Sequence, residues 1–417
     1  MKKKFSPGGL QEVLSIAVPM VISNSAFTVM QFCDRVFLAR YSDLAIQASM
    51  PAGILSFTLL CLFTAIAGYS STFVAQYQGA GERANCVHAT MQGVYFMLLC
   101  TPVFLLLIPV GYGIIGLFDH APALVEQEHI YLRWMLYGAV PIGLSWSISG
   151  FFTGRSLVRL NTAVNILGCA VNIILDYAMI FGHFGLPRMG LKGAAIATCI
   201  SCLVSPSILF VFMLRSDLVR EIGWRKAFEF DFGMMKRLMR FGLPAGVQIL
   251  LDVGAFSVFV LMTASLDSVT LTVTNIAFSI NNLAFSPLMG FGAAASILSG
   301  QYQGGNDSNH ARRSGWSALR LGWIYMAFIG TVFVVFPETL ISLFTPPESE
   351  AAQTENFMRT GRHLLYVMTA WGVFDVANII FIGALKGVGD TKFVMTYMSL
   401  LAWLLWIPGE FIIFKLG

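Results

Sequence analysis

Charge is scarce in this chain. Lys, Arg, Asp and Glu make up 12% of its 417 residues, half of the roughly 25% usual in soluble domains, which excludes an ordinary water-soluble enzyme. Excess charge is scarcer still: 26 cations against 22 anions leave +4, too little to suggest a nucleic-acid binder. No polar low-complexity tract occurs, and with 13% aromatic residues intrinsic disorder is excluded as well. There is no GxxxxGK[ST], so no ATP-hydrolysing P-loop. The six histidines (His88, His120, His129, His183, His310 and His363) fall at or near the ends of apolar runs and form no HExxH-like pair. An intramembrane enzyme therefore ranks last among the candidate functions. The second half lacks cysteine altogether, and the seven in the first half include a Cys199-x-x-Cys202 inside an apolar run. There packing, not redox chemistry, is expected. Gly111 to Gly116 matches GxGxxG with no strand before it, a false positive. No signal peptide is expected, because the first apolar run is too long and lacks a small-residue cleavage site.

Hydrocarbon, by contrast, is abundant: 56% of the residues are apolar. A bilayer core ~30 Å thick needs about 20 apolar residues per helix. The apolar runs predict eleven spans, near 11–39, 46–76, 88–112, 128–153, 160–182, 192–214, 238–264, 270–300, 314–337, 358–385 and 393–415. This is the pattern of an all-α polytopic membrane protein. Its cations set the orientation. A cytoplasmic N-terminus gathers Lys2, Lys3, Lys4, Arg83, Arg155 and Arg159 inside, together with the basic stretch at 215–240, Arg312, Arg313, Lys386 and Lys392. Arg40, Arg188 and Lys192 remain outside beside acids such as Asp119, Glu126, Glu338, Glu348 and Glu350. The 215–240 stretch reads as topology plus contact with lipid headgroups, and the cell (inner) membrane is the expected location.

The chain repeats itself. Pro19 in Ala-Val-Pro-Met-Val and Pro244 in Gly-Leu-Pro-Ala-Gly stand 225 positions apart, as do Gln76-Tyr-Gln-Gly79 and Gln301-Tyr-Gln-Gly304. A weaker pair, Gly150-xxx-Gly154 and Gly383-xxx-Gly387, is offset by 233. Six spans separate corresponding points, so the chain returns to the same side and the repeat is parallel about an axis normal to the membrane. The expected architecture is two pseudo-symmetric six-helix-type bundles around a central cavity. An N-terminal lobe covers 1–214, a cytoplasmic linker 215–237 and a C-terminal lobe 238–417. The equivalent of the sixth span is missing from the second half: either the sequence is incomplete, or the protein has eleven spans and an exposed seam. Two lobes that rock about a central site suit a secondary transporter better than a channel. Pro19, Pro141, Pro206, Pro244, Pro287 and Pro408 lie inside spans, where they free backbone groups and bend helices.

The repeat, the QYQG helix ends, Asp34 beyond Pro19, Asn172-Ile-Ile-Leu-Asp176 and Gly383-Ala-Leu-Lys-Gly-Val-Gly-Asp-Thr-Lys392 together resemble the multidrug and toxic compound extrusion (MATE) family, from about residue 10 to the end. The resemblance implies an ion-coupling set of Asp34, Asn172 and Asp176. Thr198 is the counterpart of a sixth-helix threonine and Tyr137 of a fourth-helix tyrosine. Another branch of the family places acids where Asp252 and Asp375 lie, so this chain carries both sets. The coupling ion is H+ or Na+, with Na+ held at Asp34, Asn172 and Asp176 or at Asp252 and Asp375. No cofactor is implied. The partners implied are small-molecule drugs, toxic organic cations and membrane lipid, not nucleic acid, and the protein is expected to be a monomer.

The residues themselves support part of this. A carboxylate within hydrocarbon costs at least ~3 kcal/mol at a helix centre, so each wants a partner or water. Asn172 is one turn from Asp176 on the same face, and Asp34 lies far enough along the first span to meet them. Two acids in one desolvated pocket cannot both ionise cheaply. Alternatively Asp34 pairs with the adjacent Arg35, or Asp252 and Asp375 are helix-to-helix clasps. Asn275, Asn281, Asn282 and Asn378 would supply polar contacts in a cavity where methionines and aromatic rings hold organic cations. The expected function is a cation/drug antiporter. A lipid-linked oligosaccharide flippase is the alternative, but it needs cations lining the cavity, and Arg35, Arg133 and Arg320 are few.

Overall fold

The computed structural model describes residues 5–263, 268–344 and 355–416. Helix α1 (Leu10–Tyr41) is the first span, and α2 (Asp43–Gly68) with α3 (Ser70–Ala80) forms the second. Two spans are bent: α4 (Arg83–Leu99) meets α5 (Thr101–Ile115) at 45°, and α6 (Pro122–Tyr137) meets α7 (Ala139–Gly154) at 43°. Each bend sits just before a proline, Pro102 or Pro141, that cannot donate to the carbonyl four residues back. At the first bend Thr101 Oγ1 donates to the freed Leu98 carbonyl, 2.7 Å away. Helices α8 (Val158–Phe181) and α9 (Leu191–Leu214) complete the first half, and the short α10 (Asp217–Ile222) and α11 (Trp224–Ala227) lead to the second. The second half comprises α12 (Phe232–Thr263), α13 (Ser268–Gly304), α14 (Ser308–Val335), the short α15 (Pro337–Phe344), α16 (Glu355–Val388) and α17 (Thr391–Leu400). A π-helical stretch (Leu401–Trp406) joins α17 to α18 (Ile407–Leu416), just where Pro408 breaks the regular ladder. Among the described residues nine helices are long and apolar enough to cross a membrane, and up to eleven spans result if each bent pair is one, in the order of the eleven runs read from sequence. Among the described residues there is no strand.

Three spans begin six residues earlier than their apolar runs, at Pro122, Phe232 and Ser308 against 128, 238 and 314. The seventh span begins at Phe232, not at 238, because Asp231 caps it: its Oδ1 accepts from the backbone N–H of Gly233 (2.7 Å) and Met234 (3.1 Å). Lys236, Arg237 and Arg240 hide this turn from a hydropathy reading, yet Met234, Met235 and Leu238 between them are buried. Asp390 acts similarly in the Gly-Asp-Thr-Lys stretch. Gly389 ends α16 in the left-handed region at φ +99, and Asp390 Oδ1 accepts from Phe393 N (3.3 Å) to start α17.

The halves exchange their first turns. Val13, Ile16 and Ala17 of α1 are buried in a core made with α13, α14 and α16. Met234, Met235 and Leu238 of α12 are buried in the core of the first half. Val13 and Leu238 are 225 positions apart, so the exchange follows the repeat. Helix α1 packs on α8 and α13, and α2 packs on α6 and α12.

Candidate functional site

Helix α8 turns one polar face toward α1. Thr162, Asn165, Asn172 and Asp176 recur at helical spacing, and the contacts climb along both helices. Thr162 Oγ1 donates to the Pro19 carbonyl (2.8 Å), which couples the proline bend of α1 to α8. Asn165 Nδ2 donates to Ser23 Oγ (3.2 Å). Farther along, Asp34 and Asp176 come within hydrogen-bond reach of each other, and Asn172 joins them. In the amide orientation that satisfies its neighbours, the Asn172 nitrogen donates to Asp176 Oδ2 (3.1 Å) and Asp34 Oδ1 (3.3 Å). Its oxygen then accepts from Ser201 Oγ on α9 (3.2 Å).

Asn172 and Asp176 are fully buried, whereas Asp34 is half-buried and Arg35 beside it is exposed. Among the described residues none of Asp34, Asp176, Asp252 and Asp375 is in a salt bridge with an arginine, and Asp176 Oδ1 has no hydrogen-bond partner. The pocket therefore presents carboxylate oxygens that no arginine or lysine contacts directly, with Arg35 beside Asp34 acting only through its field. Such a hard-oxygen set suits a proton or a small cation.

The other first-half expectations fare differently. Thr198 donates to its own helix, to the Ala194 carbonyl (3.0 Å), and its carbonyl, 2.9 Å from Ser201 Oγ, shares that hydroxyl's one proton with the Asn172 oxygen. Tyr137 does not join the cluster: it is 48% exposed, with its ring edge-on to Trp134. The tyrosine within electrostatic range of both carboxylates is Tyr131, six residues earlier on the same helix. Ser201 and Tyr131 escaped the sequence reading, although Ser201 lies one turn beyond Thr198.

The second-half acids are partnered separately. Gln248, one turn before Asp252 on α12, donates its amide to Asp252 Oδ2. The oxygen of Gln248 accepts from Lys386 Nζ on α16 at 2.6 Å. Lys386 was expected among the topology-setting cations, but its ammonium turns inward to this relay. Asp375 accepts from Asn378 Nδ2 (3.4 Å). Asn281 keeps a buried oxygen with no partner, while Asn275 and Asn282 are exposed.

At the end of the molecule where the chain begins, the halves meet in a reciprocal seam. A Cβ on Gly79 would overlap the Gln301 carbonyl, and one on Gly304 the Gln76 carbonyl, so only glycine lets the two QYQG ends cross. Gln76 Nε2 donates to the Gly387 carbonyl (2.9 Å) and Gln301 Nε2 to the Gly154 carbonyl (2.6 Å). Tyr302 donates to Glu12 Oε2 (2.6 Å), and at the equivalent place Arg237 donates to the Tyr77 hydroxyl (2.8 Å). Each QYQG motif thus grips the opposite half, which is why the motif occurs twice.

Comparison with known proteins fits this layout. The MatE family model matches residues 19–178 and 244–412, starting at Pro19 and Pro244. Among solved structures, the chain is similar to a multidrug resistance MATE family transporter of the MOP superfamily in an outward-facing conformation. The TM-score is 0.85 at 18% identity, covering 99% of this chain and 91% of that one. It is also similar to a MOP superfamily transporter from Pyrococcus furiosus described as having a binding pocket of reverse polarity, with TM-score 0.83, 17% identity and coverage of 99% and 92%. A eukaryotic MATE transporter gives 0.78 at 21% identity, covering 95% and 86%. At such identities the likeness is one of fold. With the family model matched across both repeats of a polytopic helical chain, this protein belongs to the MatE family of membrane transporters.

Proposed function

We propose that the protein is a secondary active exporter. It exchanges an inward-moving H+ or Na+ for amphiphilic, often cationic, compounds across the cell (inner) membrane, with its N-terminus in the cytoplasm. The observation that carries this reading is the buried Asp34–Asn172–Asp176 cluster. A carboxylate held in hydrocarbon costs at least ~3 kcal/mol; Arg35 bears on Asp34 alone and no cation contacts Asp176, so a proton or cation from solution is the natural neutralising charge for the pair. Because α1 contacts both α8 and α13, ion occupancy at its α8 face bears on how it packs against the other half. One charge moving through 100 mV releases ~2.3 kcal/mol, enough to sustain roughly a fiftyfold gradient of cargo. The lobes, 1–214 and 238–417 about the linker 215–237, are the bodies that rock in this scheme, and Asn281 and Asn378 face the cargo.

The test is ethidium efflux from proteoliposomes holding the full chain under an inward Na+ gradient alone, then under an inward H+ gradient alone. Efflux should require one of the two. No efflux under either gradient, together with movement of a lipid-linked oligosaccharide, would replace the exporter with a flippase.

A further inference from the structure

Lys386 is unlike the other cations at its end of the molecule. Its ammonium carries three donors and no acceptor, and it bonds Gln248 Oε1 at 2.6 Å, a charge-assisted length. That bond fixes the Gln248 amide, since the oxygen must face the lysine and the nitrogen is left for Asp252. Gln248 is only 4% exposed, so neither end of its amide has water to fall back on. The positive charge of Lys386 therefore reaches Asp252 through one oriented amide, and the acid is already compensated in a way that Asp176 is not.

The same turn of α16 belongs to the seam. Carbonyls in the last turn of a helix lack the regular donor four residues on; donors from the first half reach two of them here, although the Lys386 carbonyl also accepts from Gly389 N (3.2 Å). The Lys386 carbonyl accepts from Tyr69 Oη (3.1 Å), and the Gly387 carbonyl accepts from Gln76 Nε2 (2.9 Å). Gly387 also lies so close to the Ser296 carbonyl that a Cβ would overlap it. The turn cannot shift without disturbing the contacts that close this end.

We propose that Lys386 is a tethered counter-ion that positions Asp252. A cationic ligand that reaches Asp252 competes with the ammonium for that carboxylate, and displacement of Lys386 slackens the Tyr69 and Gln76 bonds across the seam. Charge on the cargo is thereby reported to the gate through a single helical turn. The ligand class rests on the exporter reading, whereas the role of Lys386 rests on the relay and the seam.

The experiment uses the purified full chain in lipid nanodiscs with ethidium as probe, read by fluorescence titration and by amide hydrogen exchange at residues 76–81. Lys386→Met should bind ethidium about tenfold more tightly than wild type, within the usual range of coupling between sites. Lys386→Arg should stay within about twofold, because it restores the charge. Asp252→Asn should weaken binding about tenfold, and adding Lys386→Met to it should change nothing further. Saturating ethidium should speed exchange at 76–81 in wild type, and Lys386→Met should show that speed without ligand. Lys386→Met with unchanged affinity, or tightening that persists in the Asp252→Asn background, overturns the proposal. If both lysine variants fail to fold, an ethidium-independent exchange rate in wild type overturns it equally. Wild type that binds no ethidium at all removes the exporter reading and this proposal together.

Discussion

Asp176 is fully buried, and its neighbours are a second carboxylate and an amide. Replacing it by Asn keeps the size and the capacity to hydrogen-bond but removes the charge that an ion from solution must neutralise. Asp176→Asn should therefore abolish gradient-driven ethidium efflux while the protein still elutes as a single folded species in size-exclusion chromatography; efflux at the wild-type rate would move the coupling site to the second half. Ser201 acts one step back, by holding the Asn172 oxygen so that the nitrogen faces both acids. One neutral hydrogen bond is worth about 1 kcal/mol, so Ser201→Ala should raise the ion concentration for half-maximal efflux by about fivefold. The carboxylates were legible in the sequence because an acid in an apolar run is conspicuous. Ser201 was not, since serine is common in packed membrane helices. Tyr137 and Tyr131 differ by helix register: six residues turn the side chain about 120° around the axis, and Tyr131 is within electrostatic range of the pair.

At the scale of elements, the α1–α8 ladder could be found from the spacing of Thr162, Asn165, Asn172 and Asp176. The start of α12 could not, because its cations mask the buried methionines. Lys386 lies at the end where its charge is counted, but its inward turn to Gln248 is not legible in the sequence, for a related reason. Counting charges at span ends treats each one as solvated, whereas a lysine near a helix terminus can reach about one turn along a neighbouring helix and turn its ammonium inward. The QYQG ends announced the repeat but not their contact, since nothing in one copy says that it touches the other. Their glycines now make a prediction. In Gly79→Leu the side chain would occupy the position of the Gln301 carbonyl, so the ends of α3 and α13 must separate. Amide exchange at 76–81 and 301–306 should then rise by about tenfold or more, the equivalent of about 1.4 kcal/mol of lost closure. Exchange unchanged from wild type would mean that the helix ends can part company at no cost, and that the seam closes nothing.

For the molecule as a whole, the exchanged first turns matter more than the number of spans. Val13, Ile16 and Ala17 belong by sequence to the first half but are buried with α13, α14 and α16, while Leu238 crosses the other way. Neither half has a complete core without the other, although each retains its own set of helix contacts. In the exporter proposed above, such an arrangement would keep the two halves joined at one end, where each lends its partner a first turn. It also separates the covalent link from the physical one. The stretch between α9 and α12 runs through two short helices and a glycine at position 223 with φ +81, and its Leu218, Val219 and Ala227 are buried in the first-half core on either side of that glycine. Cutting the gene at Gly223 and co-expressing the two pieces should therefore give fragments that co-purify and restore ethidium efflux, because the exchanged turns, not the peptide, hold them together. Each piece expressed alone leaves unfilled the place its partner's first turn occupies, that of Val13 and Ile16 in one half and Leu238 in the other, and loses the packing that drives helix association in lipid. The lone pieces should be degraded in cells or aggregate in detergent. Stable, monodisperse fragments that ignore each other when mixed would show that the exchange is incidental, and the transport cycle would then have to be built on two bodies held together only by the linker.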